Sequence, residues 1–291
     1  MTLGLDVRQS SVVAMLVDAD GRTLRRAARP TATAAAVTET VREIGGDHPE
    51  RMGIAFSDDV IATPADLAAA AAAAFEMPVD TRVVGRGAAL ALGEHWRGAA
   101  QGSRHVVALT AGDCVHAGLV VDGRVFAGAH GFAGAAGWLA LNPVERDDYR
   151  KLGGLAAEVG SAGIVRRLVW RVRSGDTSRV VDMAGGQLSD VTVHHVLDAA
   201  RAGDGVAIAV VRDTARYIGM AIGNIVAIVD PDVVVLGGLI AEAGDLLVEL
   251  SRVEAMRRMS NDVSDAVRIV AGTLGDDAGA IGAARAAIIG P

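Results

Sequence analysis

Aromatic side chains make up only 3% of the 291-residue sequence. Its core must therefore be filled by Ala, Val, Leu and Ile, and stacking platforms for bases are few, which argues against single-stranded nucleic acid binding. Cysteine is nearly absent. Cys114 stands alone, which excludes an internal disulfide and a thiolate zinc cluster and fits a reducing, cytoplasmic setting. Positive charge is in deficit: 28 Lys and Arg against 35 Asp and Glu leave a net of −7, and no direct nucleic acid binding is evident. The opening MTLGLDVRQS carries Asp6 and Arg8 and lacks the basic start and apolar run of a signal peptide. The alanine-rich tract from Ala65 to Phe75 is too short to span a bilayer and is expected as a helix. A soluble cytoplasmic protein without a membrane partner is expected.

What the chain does contain is apolar residues, 51% of the total, enough for one large domain or two modest ones. Apolar runs at Leu3–Leu5 and Val12–Val17 are joined to TLRRAARP through Asp18 to Gly21, the pattern of strands linked by tight turns. A helix is expected from Thr33 to Ile44, a strand from Met52 to Phe56, the alanine-rich helix, and a strand at Thr81–Val84. The order begins again at Val106–Thr110 and Ala117–Val121, with a second Asp-Gly turn in VVDGRVFAG. Duplication of this unit implies two α/β lobes with glycine-bearing turns between them. Helices are expected at Ala156–Ser174, Thr192–Ala202 and Gly205–Ile228. The last is stopped by Asp230-Pro231 ahead of a buried strand, Val233–Leu236, and the pair Gly237-Gly238.

Three stretches, LGLDVRQSSVVAMLVDADGRTL (Leu3–Leu24), AGLVVDGRVFAGAHGFAGAAG (Ala117–Gly137) and ARYIGMAIGNIVAIVDPDVVVLGG (Ala215–Gly238), together with LGDDAGAIGAA at Leu274–Ala284, resemble the ROK family of sugar kinases and sugar-responsive repressors. The resemblance implies a two-lobed actin-like (ribonuclease H-like) α/β fold, a duplicated mixed sheet with flanking helices. The smaller lobe is expected at 1–104, with a C-terminal helix 276–291 packing back on it, and the larger lobe at 105–275.

The resemblance also locates a site, and this chain departs from it repeatedly. The first phosphate turn of the family's kinases follows the strand aspartate with glycines, a threonine and a lysine; here Asp6 is followed by VRQSS, with Arg8 in the turn. The second, Gly-Thr-Gly-x-Gly-x-Gly, corresponds to GDCVHAG at Gly112–Gly118, where Cys114 and His116 crowd the cradle. Alignment on ALGE (Ala91–Glu94) puts Arg86 where the catalytic aspartate belongs. In the sugar loop, Ala135 replaces a glutamate and Trp138 a histidine that also serves a structural zinc. No cysteine follows, and Ala156 occupies a further glutamate position. The segment between Phe56 and the alanine-rich helix is short, as if part of the sugar-contacting region were deleted.

The expected reading is a catalytically inactive ROK-like protein, a pseudokinase acting as a ligand-sensing or regulatory module near the family's transcriptional regulators. It would have no helix-turn-helix of its own, since the chain opens on its first strand. The balance falls against an enzyme, with no cofactor and no metal site; His194-His195 has no third ligand in sight. The alternative is an ATP-dependent sugar kinase, acting on glucose or an N-acyl-hexosamine and needing ATP and magnesium. Asp6, Arg8, Arg86, Gly112, Asp113, Gly237 and Gly238 are the candidate interlobe cleft. Asp6 either holds a hydrated metal or caps its own turn. Arg8 and Arg86 either bind an anionic or sugar-derived effector or pair with Asp6 or Asp113. Ala135, Trp138 and Ala156 mark a vacated sugar pocket that Trp138 is expected to fill. A homodimer is expected.

Overall fold

A computed structural model describes residues 1–44, 49–57, 63–75 and 78–290. Residues 58–62, in the short segment after Phe56, and Pro291, at the end of the expected last helix, lie outside the described residues. The strands are β1 (Thr2–Val7), β2 (Val12–Val17), β3 (Thr23–Arg29), β4 (Arg51–Phe56), β5 (Asp80–Gly85), β6 (His105–Ala111), β7 (His116–Val121), β8 (Arg124–Val125), β9 (Val233–Gly238) and β10 (Arg268–Ala271). The helices are α1 (Ala34–Ile44), α2 (Pro64–Ala72), α3 (Arg86–Arg97), α4 (Asp147–Leu152), α5 (Gly154–Val159), α6 (Ser161–Arg173), α7 (Val180–Met183), α8 (Val193–Arg201), α9 (Gly205–Val229), α10 (Leu239–Glu242), α11 (Gly244–Met256), α12 (Asn261–Ala266) and α13 (Ala278–Ile289). Two five-stranded sheets form, in the orders β3-β2-β1-β4-β5 and β10-β9-β6-β7-β8.

Contacts divide the chain into two compact units. The first comprises Met1–Ala108, Ala117–Gly134 and Gly272–Pro291. In its sheet β1 runs antiparallel to β2 and parallel to β4. Both faces of β1 are buried, and side-chain alternation sorts them. Leu3, Leu5 and Val7 join Val37, Val41, Ile44 and Leu67 of α1 and α2 in one core cluster. Gly4 and Asp6 face α13, whose Ala280, Ile281 and Ala284 pack on Val13, Met15 and Val17. Where the sequence suggested a boundary at residue 104, the hairpin residues Ala117–Gly134 group with this unit. The physical reason is a backbone contact: Gly87 and Gly118 approach so closely that a Cβ on either would overlap the chain facing it.

The second unit comprises Leu109–His116 and Ala135–Ala271. Its long helix α9 ends on Asp230, which adopts the left-handed conformation with φ 48°, and Pro231 prevents continuation. Helices α5, α6, α8 and α11 pack along α9. The single helix expected over Ala156–Ser174 is two, broken at Gly160. The expected pair His194-His195 lies in the first turn of α8, where Thr192 and His195 form a reciprocal cap: the His195 N–H donates to Thr192 Oγ1 at 3.3 Å and the Thr192 N–H to His195 Nδ1 at 3.2 Å. This cap explains one of the two histidines without a metal. Among the described residues no helix is long and apolar enough to cross a membrane.

Candidate functional site

Asp6 is the fifth residue of β1, with 0% exposure. It faces the first turn of α13, where Gly279 leaves room for its carboxylate; a Cβ on Gly279 would overlap it. The helix N-terminus favours a negative charge there. Two guanidinium groups complete the enclosure. Arg8 Nε donates to Asp6 Oδ2 at 2.9 Å, and Arg86 Nε to Asp6 Oδ1 at 3.1 Å. Arg8 also donates through Nη1 to Asp276 Oδ1 at 2.7 Å and through Nη2 to the Asp276 carbonyl at 2.5 Å. Burial opposes the Arg8 charge, but Asp6 and Asp276 outweigh it and its pKa is raised; the hydrogen bond from Arg8 holds the Asp276 carboxyl below its ordinary range. Two cations and two anions close on one another. The buried charge of Asp6 is thus paired, as a desolvated carboxylate must be.

The other members of the expected cleft set belong to the second unit. Gly112 lends its carbonyl to the Ser161 N–H at 2.8 Å, and Asp113 is exposed in the loop after β6. Gly237 and Gly238 sit at the end of β9 against β6. A Cβ on Gly237 would lie 2.8 Å from Thr110 Cγ2, and one on Gly238, at φ 58°, would overlap the Ala111 carbonyl. Their smallness serves strand packing.

In the loop expected to hold a vacated pocket, Ala135 precedes a 3-10 turn, Ala136–Trp138. The turn buries Ala136 and Gly137 and throws the next side chain outward. Trp138 is 60% exposed, so the expectation that it fills the pocket is corrected. Small residues account for this geometry. A Cβ on Gly137 would lie 3.3 Å from Ala156 Cβ, and one on Gly153, at φ 92°, only 3.0 Å from Trp138 Cα. Asn142 caps its own turn, Oδ1 accepting from the Val144 N–H at 3.0 Å.

Two buried glutamates escaped the sequence reading. Glu94, 4% exposed on α3, accepts from the N–H groups of Ala99 (2.8 Å), Thr273 (3.2 Å) and Leu274 (3.0 Å). It pins the segment that enters α13. The signal was a carboxylate inside an apolar helical run, LALGE. Glu94→Gln is expected to lower stability by about 2 kcal/mol in urea unfolding, because an amide NH2 would face backbone donors. An unchanged midpoint would refute it.

Glu158, 2% exposed on α5, accepts from Arg146 Nη1 at 3.1 Å, Tyr149 Oη at 2.6 Å and Arg167 Nη1 at 2.9 Å. Asp148 takes Arg146 Nη2 at 2.7 Å and pairs with Arg166. This is the stretch in which the resemblance places zinc ligands. Its donors do not suit zinc, since residues 142–158 carry neither cysteine nor histidine, and among the described residues no group of three His, Cys, Asp or Glu stands ready for a metal.

Comparison with known proteins agrees with the fold. A glucokinase of Halalkalibacterium halodurans is 31% identical over 194 residues, 66% of this chain and 58% of that protein. The DNA-binding transcriptional dual regulator NagC of Escherichia coli K12 is 30% identical over 160 residues, 55% of this chain and 38% of that protein. The chain therefore spans under two thirds of the length of these relatives. A ROK family glucokinase from Streptomyces griseus, solved with glucose and AMPPNP, superimposes with a TM-score of 0.83 over 99% of both chains at 23% identity. The two mixed sheets and their flanking helices are thus an actin-like, hexokinase-type fold. The ROK family model matches residues 48–288, and on that match the chain belongs to the ROK family.

Proposed function

We propose that this protein is a non-phosphorylating ROK member, a ligand-sensing or regulatory module. One observation carries the reading: Arg86, at the position where the resemblance expects the catalytic base, is bonded to the buried Asp6. A guanidinium stays protonated far above neutral pH and takes no proton from a sugar hydroxyl. The neighbouring turn supports the same reading. Its Arg8 side chain is spent on Asp6 and Asp276, and its Arg8 N–H on the Ser11 carbonyl at 2.9 Å, so it does not fit the phosphates of ATP. We further propose a cytoplasmic homodimer that responds to an anionic or sugar-derived effector.

A second reading, an ATP-dependent sugar kinase, draws on the 31% identity to a glucokinase. Coupled measurement of ADP release with magnesium, ATP and a panel of glucose, N-acetylglucosamine and N-acetylmannosamine separates the two. No sugar-dependent turnover above the sugar-free rate is expected; turnover with any of these sugars refutes the non-phosphorylating reading.

A further inference from the structure

The second unit holds a cluster in which cations outnumber anions. Arg146, Arg166 and Arg167 share two carboxylates, Glu158 and Asp148. At the first site the balance is even, two arginines to two carboxylates; here it is three to two. Burial first, then Arg146 and Arg167, pull the Arg166 pKa down to about 10, while burial lowers that of Arg167 against the opposing pull of Glu158 and Asp213.

The cluster is also held in place. The Arg146 guanidinium lies 5.0 Å from the centroid of the Tyr149 ring, and that of Arg167 5.8 Å from the Tyr217 ring. Arg167 Nη2 is fixed on Thr214 Oγ1 at 2.5 Å, and Arg166 Nη2 on the Ala157 carbonyl at 2.9 Å. Arg146 and Arg166 touch the same oxygen, Asp148 Oδ2, so their guanidinium groups are close neighbours. Both side chains remain more than one third exposed, 39% and 35%. Each guanidinium carries five N–H donors, and the bonds to Glu158, Asp148 and the Ala157 carbonyl use only part of them, so two adjacent, partly exposed arginines keep donors that one oxyanion can accept from together.

We infer that the open side of the Arg146–Arg166 pair binds a small oxyanion, either free phosphate or the phosphoryl group of a larger metabolite. The site is distinct from the Asp6 pair and independent of whether the chain phosphorylates sugars. Its anion restores the charge balance that the two carboxylates leave incomplete.

Titration calorimetry with orthophosphate, at ionic strength matched with sodium chloride, is expected to give saturable binding at one site. Arg166→Gln is expected to weaken it by about tenfold or more, the loss of charge-assisted hydrogen bonds, whereas Arg252→Gln on α11 leaves it unchanged. A parallel titration with glucose 6-phosphate tells the two sources apart: equal affinity means that the free anion suffices, and tighter binding means that the phosphoryl group is carried by a larger ligand. Because a variant fold can fail, the wild type is also labelled with phenylglyoxal, and phosphate is expected to protect Arg146 and Arg166 but not Arg252. Absence of saturable binding in the wild type, binding unaltered in a folded Arg166→Gln variant, or no selective protection would overturn the inference.

Discussion

Arg86→Asp, which places at position 86 the aspartate that the family resemblance would expect there, is expected to destabilise the chain by about 4 kcal/mol, the range for stranding one member of a buried pair. For a unit of this size that is roughly 10 °C in Tm. The cause is local. Asp6 has no exposure and accepts from Arg86 at 3.1 Å and Arg8 at 2.9 Å; the variant removes one cation and adds a second carboxylate. Arg8 cannot neutralise both, since it also serves Asp276. The pH dependence carries the signature. In the wild type, Asp276 is held below its ordinary range by Arg8. A depressed carboxyl contributes stability above its unfolded pKa and loses it as pH falls through the folded value. In the variant, like-charge crowding raises one carboxyl, and protonating it relieves the repulsion. The gap between wild type and variant is therefore expected to narrow between pH 7 and pH 5. Thermal melts across that range test it; a variant as stable as the wild type at pH 7, or a gap that ignores pH, refutes the pairing. The same variant is expected to show no sugar-dependent ADP release, because the adjoining turn remains filled by Arg8.

Much of the fold was legible because its signals are local. The turn at Asp18 is an example: its Oδ1 accepts from the N–H groups of Asp20 and Arg22, each at 2.9 Å, as a short polar link between apolar runs requires. The break of α5 from α6 was missed because Gly160 lies inside an otherwise helical pattern. Strand β10, four residues at the edge of its sheet beside β9, has too little length to stand out. At the site, a pairing of Arg86 with Asp6 was one of two open readings, and choosing between them needed a contact across 80 residues of sequence. Glu94 finds partners 179 and 180 residues away, and no spacing announces that. Trp138 shows the opposite limit. Replacement of a polar residue by a large ring suggested filling, yet the backbone turn that buries Ala136 and Gly137 decides where the ring goes.

A second large effect on the first unit is expected from Gly53→Ala. Gly53 of β4 lies beside Gly4 of β1 in register, and the two form a flat floor for α13. A Cβ on Gly53 would overlap the Ala283 carbonyl, and one on Gly4 the Ala280 carbonyl. The other side of α13 is equally close, with Gly282 against the Ala89 carbonyl and Gly93 of α3 against that of Ala278. The helix is wedged by backbone on both sides, so the added methyl meets no flexible side chain that can yield. Overpacking commonly costs 1–3 kcal/mol, and a rigid obstacle puts this substitution at about 3 kcal/mol or above. Gly205→Ala, at the start of α9 with open space around its Cβ position, is expected to be neutral or slightly stabilising. A displaced α13 also loosens Trp96, which packs against its cluster and carries Arg285 5.1 Å from its ring centroid. Trp138 and Trp170 are already exposed, so a red shift in tryptophan emission reports Trp96. Equal urea midpoints for the Gly53 and Gly205 variants, or a Gly53 variant with unshifted emission, would show that α13 is free to give way. In that case the enclosure of Asp6, which depends on Gly279 in the first turn of the same helix, would not be a fixed feature of the fold.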